Sequence, residues 1–192
     1  MSREQPDQRD VDAQIENYMR EILKLLDIKK EEVLKETPRR FCKLLKQRTS
    51  SNRTELDPSI LTTFPMEKPG LVIVKDLDVR SICEHHLMPF SGKAVIAYLP
   101  KKEILGLSKL QRIVSYHCKK DQLQEALSQE ILETMDKAVE NDGICVLMKC
   151  KHFCMILNDE VNSPAETVTV IKSGKFEEDP VLFQNVMDSL KI

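Results

Sequence analysis

The sequence predicts an α+β fold in which a four-stranded antiparallel sheet carries two helices on one face. Segments with the composition and alternation of strands occur as two pairs, 71–82 with 93–99 and 144–157 with 166–171. Between the pairs, apolar residues recur at helical spacing over 108–117 and 123–139. Two strands, two helices and two further strands in that order favour an antiparallel sheet with the helices on one side.

A helical region is predicted ahead of the sheet. Apolar residues at helical spacing predict one helix over 11–26, and a second is expected over 31–46 with Thr37 and Pro38 near a helix start. Residues 47–68 have no clear period and predict a long connection. The predicted division is a disordered lead over 1–10, N-terminal helices and a loop over 11–68, and the main domain over 69–192.

The two helices between the strand pairs carry recognisable ends. Ser108 precedes the apolar positions of the first helix and is predicted to be its N-cap. The second helix, an amphipathic one, is predicted to end near Gly143, because glycine readily adopts the backbone conformation that closes a helix.

Composition and charge exclude several classes of function. The formal net charge is -2, so there is no strongly basic balance that would favour binding to nucleic acid, and no polybasic block suggests an anionic membrane. No segment approaches the roughly 20 apolar residues that a membrane span needs, and the N-terminus lacks the apolar core of a secretory signal. We therefore expect a cytoplasmic location, in which the six cysteines stay reduced.

Thiols and imidazoles cluster at two places in the sequence. Cys83 and His86 are separated by two residues, which allows one tight turn to direct both at a single ion. Cys150, His152 and Cys154 would share one face of the third predicted strand. This pattern predicts a zinc site with a third ligand from the strand, and spacing alone leaves Cys150 and Cys154 open. A structural site with four protein ligands and a set of buried thiols without metal are the alternatives.

Four motifs together resemble the successive signatures of the GTP cyclohydrolase I family. They are Ser81-Ile-Cys-Glu-His-His-Leu, Gly106-Leu-Ser-Lys-Leu-Gln-Arg-Ile-Val, Gln122-Leu-Gln-Glu-Ala-Leu and His152-Phe-Cys-Met. Upstream, Glu36-Thr-Pro-Arg-Arg is similar to another segment of the family. The resemblance implies the tunnelling fold (T-fold), a homo-oligomer of two stacked pentamers, and conversion of GTP to 7,8-dihydroneopterin triphosphate and formate.

The resemblance also implies roles for individual residues. It assigns the zinc ligands to Cys83, His86 and Cys154, and proton transfer to His85 and His152. It assigns the guanine edge to the segment that contains Gln124 and Glu125, since a carboxylate can accept from both guanine N–H groups. The remaining residues that match the family's ribose and triphosphate positions are Ser108, Lys109, Arg112 and Arg40.

Two positions depart from the family pattern. Asn158 stands where the family carries an arginine that grips the triphosphate, and Ala126 replaces another arginine. Losing such a cation weakens the binding of a polyanion. The departure keeps two alternatives open: a paralog that acts on a different guanine-type substrate, and a non-catalytic subunit of a cyclohydrolase oligomer. A nitrile-reductase-like protein without zinc is disfavoured by the complete ligand set.

Overall fold

The structure is a computed structural model that describes residues 8–68, 70–158 and 165–190. It divides the chain into two units, Met1–Thr49 and Ser50–Ile192. In the first unit, α1 (Gln8–Leu25) packs against α2 (Glu31–Arg48). Helix α1 begins at Gln8, so residues 8–10 are helical rather than part of the predicted disordered lead. Residues 1–7 of that predicted lead lie outside the described part of the chain.

Proline lies in the interior of α2, away from the helix start that the sequence suggested. Pro38 has no N–H, so the carbonyl of Leu34 one turn earlier loses its helical partner. Arg20 Nε on α1 donates to that carbonyl at 3.3 Å. The freed acceptor is thus satisfied by the neighbouring helix, and this explains how the proline is tolerated.

The second unit is built on an antiparallel sheet of four long strands. In the order in which they lie side by side, these are β2 (Val72–Ile82), β3 (Pro89–Pro100), β5 (Asn141–His152) and β6 (Thr167–Lys172). The predicted antiparallel sheet is therefore confirmed. A bulge interrupts the β2–β3 pairing between Val74 and Leu77, where Asp76 has a positive φ of 60°.

Two helices cover one face of this sheet, as predicted. They are α3 (Leu107–His117) and α4 (Gln124–Ala138). Alternate residues of the strands point toward them, so Ile96, Ile144 and Met148 pack in one core with Ile113 and Ile131. The α+β class is confirmed. None of the described helices has an apolar stretch long enough to cross a bilayer.

The opposite face of the sheet also carries helices, which the sequence analysis did not predict. These are α6 (Lys175–Glu178) and α7 (Pro180–Ser189), and they bury Phe176 and Val186 against Ala97 and Leu147. Toward the other end of the strands this face carries exposed charged residues, among them Lys149 and Lys151.

The predicted connection over 47–68 contains local structure. Short 3-10 helices span Ser50–Asn52 and Pro58–Leu61, and β1 (Thr63–Pro65) pairs with β4 (Glu103–Leu105). Residues 50–68 therefore belong to the second unit, whereas the sequence analysis grouped them with the N-terminal helices.

Three element ends differ from the prediction. The third long strand stops at His152, and α5 (Phe153–Ile156) follows where the sequence predicted continued strand. Gly106 caps α3 and Ser108 lies inside the helix without a capping bond, so its predicted N-cap role is wrong. Helix α4 ends at Ala138, and Gly143 is buried in β5, where a Cβ would lie 2.7 Å from Ser173 O.

Candidate metal centre

A six-residue turn at one end of the sheet holds the first of the predicted ligands. It connects β2 to β3 between the paired residues Ile82 and Pro89. Cys83 N donates to Met88 O at 2.8 Å, and Leu87 N donates to Cys83 O at 2.9 Å. Cys83 is buried, so the turn directs its thiol into the protein and leaves the following residues in solvent.

The structure brings Cys83 together with His152 and Cys154. Their potential ligand atoms all lie within 4.8 Å of one another. Phe90 pairs with His152 across β3 and β5, which sets the end of β5 beside the Cys83 turn. Helix α5 then turns the chain, so that Cys154 reaches the cluster from a helical turn and not from the strand face that the sequence predicted.

The donor set fits a zinc ion. Two thiolates at about 2.3 Å from a tetrahedral zinc ion are separated by about 3.8 Å, so the observed 4.8 Å limit requires only a small contraction. Burial raises the pKa of Cys154, and the adjacent Cys83 raises it further. A cation between the two sulfurs would remove this penalty, because it favours the thiolate forms.

Cys150, the alternative that spacing left open, lies elsewhere. Its side chain is 1% exposed and belongs to the core between the sheet and α3–α4. Burial raises the pKa of its thiol to about 12, as expected for an inert core cysteine. Within the described residues, the grouped thiols are Cys83 and Cys154, and Cys150 is not among them.

His152 is held from two sides. Its ring stacks on Phe90 with centroids 4.7 Å apart and planes 10° from parallel. Its Nε2 lies 2.9 Å from Gln124 Oε1. Burial lowers the pKa of His152, and the nearby carboxylate of Glu125 opposes that shift. The ring therefore has a fixed position beside the thiols.

Gln124 is the main site residue whose position the sequence analysis did not anticipate. Its side chain is 1% exposed, and its amide nitrogen contacts Met148 O at 3.2 Å and Thr167 O at 3.1 Å. The resemblance suggested contact with substrate, whereas the structure commits this side chain to the protein. The segment before α4 is held beside the turn that contains Cys83, since Gln122 N donates to Ile82 O at 3.0 Å.

The other two histidines of the predicted site lie on the turn itself. His85 and His86 are exposed, and their ring centroids are 6.2 Å apart in an edge-to-face arrangement. Among the described residues, His86 is not part of the group that includes Cys83. The structure thus groups His152 with the two thiols, whereas His86, which the resemblance named as a ligand, lies outside that group.

The predicted substrate residues occupy the first turns of two helices. Glu125 is exposed at the start of α4, next to Gln124. Ser108 and Arg112 are exposed on α3, and Lys109 donates to Ser59 O at 2.6 Å. Hydrogen bonds from Ser59 lower the pKa of Asp57, and Lys109 and Arg112 lower it further, which places a carboxylate near these cations.

Two further positions are ones that the resemblance connects with phosphate binding. Arg40 is exposed on α2 in the first unit. Asn158 is exposed just after α5, four residues beyond Cys154. The short helix therefore makes Asn158 a neighbour of the metal cluster in the chain.

A separate polar cavity of about 450 Å³ lies beside the C-terminal end of α3 and the middle of α4. His117 Nδ1 is 3.2 Å from Glu130 Oε2, and its Nε2 is 2.7 Å from Thr134 Oγ1. Glu130 also pairs with Lys120. These side chains satisfy one another, which is typical of a structural link between two helices. The residues that line the cavity are Ser51, Asn52, Tyr116, His117, Lys120 and Glu130.

Comparison with known proteins adds to this geometry. The family model described as GTP cyclohydrolase I matches residues 15–191. The protein named GTP cyclohydrolase 1 from Leptospira biflexa is 33% identical over 180 residues, which cover 92% of this chain and 98% of that protein. The protein of the same name from Coxiella burnetii is 38% identical over 150 residues, covering 77% and 81% respectively.

A solved structure, the archaeosine synthase QueF-Like in the apo form, matches 56% of this chain and 97% of its own at a TM-score of 0.48 and 22% identity. Nothing about activity follows from a likeness of that degree. The family match extends through both units and includes all three clustered donors, Cys83, His152 and Cys154. The chain belongs to the GTP cyclohydrolase I family.

Proposed function

We propose that this chain is a zinc-dependent GTP cyclohydrolase I that opens the purine ring of GTP and yields 7,8-dihydroneopterin triphosphate and formate. The observation that carries the proposal is the Cys83–His152–Cys154 cluster in a chain that matches the family over 15–191. When bound there, zinc would lower the pKa of water to about 7 and supply a hydroxide nucleophile near neutral pH.

The third ligand is the point at which resemblance and geometry differ. A catalytic zinc site keeps one position open, so one of His86 and His152 is the ligand and the other is free. We assign the ligand to His86, as the resemblance implies, because it follows Cys83 by three residues on the same turn and its ring is exposed. His152 is held by Phe90 and Gln124 without any ion, which suits a group that moves a proton.

Each of the remaining residues would then act on a different part of the substrate. His152 would protonate the imidazole nitrogen of the opening purine ring, and His85 would transfer a second proton near the ribose. Glu125 would accept hydrogen bonds from the guanine edge. Four residues would surround the ribose and the phosphates: Ser108, Lys109, Arg112 and Arg40. We further propose that the chain acts in the cytoplasm as a homodecamer of two stacked pentamers.

Two measurements test the activity. Purified chain with zinc should convert GTP to 7,8-dihydroneopterin triphosphate, detected by fluorescence after chemical oxidation to the aromatic pterin, and release formate in equal amount. Absence of both products from fully zinc-loaded protein would refute the proposal. The Cys150→Ala variant is the matched control, because it removes a neighbouring thiol outside the cluster and should keep its zinc, whereas Cys83→Ala and Cys154→Ala should lose it.

The ligand assignment has its own test. His86→Ala should lower the zinc content of purified protein, while His152→Ala should retain zinc and lose turnover. The reverse pattern would make His152 the ligand and leave His86 free. Zinc content is measured without substrate, so this result does not depend on which nucleotide the protein uses.

A second candidate function rests on Asn158. Because a neutral amide replaces a cation that grips the triphosphate, a guanine-type substrate with fewer phosphates is the alternative. A panel of GTP, GDP, GMP and guanosine distinguishes the two. A preference for GTP by orders of magnitude would exclude the alternative, and equal use of GMP would favour it.

A further inference from the structure

We propose that Gln124 is a positioning residue that fixes both the orientation and the proton position of His152, with the proton on Nε2 and the lone pair on Nδ1. This inference deepens the proposed function. Its effect on catalysis rests on that function, whereas the position of the proton does not. The observation that carries it is a chain of buried hydrogen bonds whose directions follow from the chemistry of each group.

The orientation of the Gln124 amide is determined by its neighbours. One end of the amide faces two backbone carbonyls, Met148 O at 3.2 Å and Thr167 O at 3.1 Å. Carbonyl oxygens only accept, so that end must be the NH₂ group. The Oε1 atom therefore faces His152, and rotating the amide by 180° would set three oxygens against one another.

The donor and acceptor roles of the hydroxyl groups around the amide agree with this orientation of Gln124. Ser128 Oγ donates to Gln124 O at 2.9 Å, which uses its hydrogen. Thr169 Oγ1, 2.9 Å away, must then donate to Ser128 Oγ. The lone pairs of Thr169 Oγ1 remain available for the Gln124 amide nitrogen at 3.2 Å. All three side chains are buried, so water does not compete for these bonds.

The position of the His152 proton follows. Gln124 Oε1 can only accept, so His152 Nε2, at 2.9 Å, must carry a hydrogen. In the neutral ring, Nδ1 is then the atom with a free lone pair. Stacking on Phe90 prevents the ring from tilting away. Nδ1 is thus the ring nitrogen that this network leaves open to another partner.

The first experiment needs neither metal nor substrate. Solid-state NMR on the full chain with ¹⁵N-labelled histidine at pH 8 reports which ring nitrogen carries the proton. The His152 signals are identified by their loss in His152→Asn, since the chain has four histidines. We expect a protonated Nε2 whose hydrogen exchanges slowly with water. A proton on Nδ1 would overturn the proposal in the native chain itself.

Variants separate positioning from substrate contact. Gln124→Met keeps the length of the side chain and removes the acceptor, so the Nε2 hydrogen should exchange rapidly. Its kcat should fall about tenfold or more, as expected when a general acid–base group loses its geometry, with KM for GTP within about threefold of native. A raised KM with native kcat would mean that Gln124 contacts substrate, and would overturn the assignment.

Ser128→Ala is the matched control. It disturbs the same buried network but leaves Gln124 Oε1 in place, so His152 should keep its slowly exchanging hydrogen. If Ser128→Ala released that hydrogen as readily as Gln124→Met, a general loosening of the core would explain both and the positioning role would fall. If native protein showed no turnover of GTP, the proposed function would fail while the NMR result would stand.

Discussion

Replacing Asn158 with arginine should increase the affinity of the protein for the triphosphate of GTP. Asn158 is exposed four residues after Cys154 and lies just beyond α5, the short helix that contains Cys154. An arginine there has room to extend without displacing buried atoms. Since the γ-phosphate end of the substrate is the most charged, we expect the effect to be on nucleotide binding and not on zinc content.

The magnitude follows from the exposure of this position. Hydrogen bonds to charged groups contribute about 1.5–3 kcal/mol, and solvent exposure favours the lower end. A gain of about 1.4 kcal/mol corresponds to a tenfold change in Kd. Asn158→Arg should therefore tighten GTP binding about tenfold. The acidic residues Asp159 and Glu160 follow directly in the sequence and limit the gain.

Calorimetric titration with GTP, GDP and guanosine measures this directly. The gain in affinity should be largest for GTP, smaller for GDP and absent for guanosine, and it should weaken as salt is added. Asn158→Gln is the matched control, since it lengthens the side chain without adding charge. An unchanged Kd for GTP, or an equal gain for guanosine, would refute the idea that this position faces the phosphates.

Three further predictions concern the thiols, the sheet and the dependence of stability on pH. Without metal, Cys154 is partly exposed and should be alkylated at pH 8 faster than the buried thiols, although burial raises its pKa; zinc should protect it, as mass spectrometry would show. Gly92→Ala should lower the free energy of unfolding by about 1–3 kcal/mol or more, because its Cβ would lie 1.9 Å from Lys149 O. Burial lowers the pKa of His117 despite its hydrogen bond to Glu130. The contribution of the neutral ring to the free energy of unfolding is therefore fully present above about pH 6.5 and decreases as the pH falls below that value. Thermal denaturation at pH 7.5 and 5.5 would show the decrease.

Each of these predictions has an internal control. Burial raises the pKa of Cys145 to about 11, so this thiol should resist alkylation with or without zinc. Among the described residues beyond its chain neighbours, none has an atom within 4 Å of a Cβ placed at Gly70, so Gly70→Ala should leave the melting temperature unchanged. His117→Gln removes the titrating ring and should reduce the loss at pH 5.5. Equal alkylation of all thiols, a harmless Gly92→Ala, or an unchanged pH response would each contradict the reasoning.

The strands could be predicted because their side chains alternate between two faces of a covered sheet. The end of β5 could not. Phe153 to Leu157 continue an apolar run, so period alone favours more strand, whereas the chain turns into α5 after His152. Helix α7 does carry local signals, since Asp179 caps it and Pro180 begins it. Its packing against the second face of the sheet depends on contacts that are distant in sequence, and local pattern does not reveal those.

The candidate site could likewise be predicted from the sequence only in part. The two motifs singled out Cys83 and His152 and left Cys150 and Cys154 open, because metal donors are chemically distinctive but spacing does not say which of them meet. The role of Gln124 was not accessible, since it depends on carbonyl groups of β5 and β6 that only the folded chain brings together. Phe90 was missed for the same reason, because its register with His152 is set by the β3–β5 pairing.

The short helix after β5 has a consequence for how the protein responds to mutation and to metal supply. It brings together two cysteines that are about 70 residues apart in the chain, so an ion held between them closes a long loop. A covalent cross-link over such a loop contributes about 4 kcal/mol, by restricting the unfolded chain. Metal binding would act in the same sense, since it favours the folded state. Weakening substitutions in the sheet would therefore be tolerated when zinc is abundant and would become apparent as misfolding when zinc is scarce.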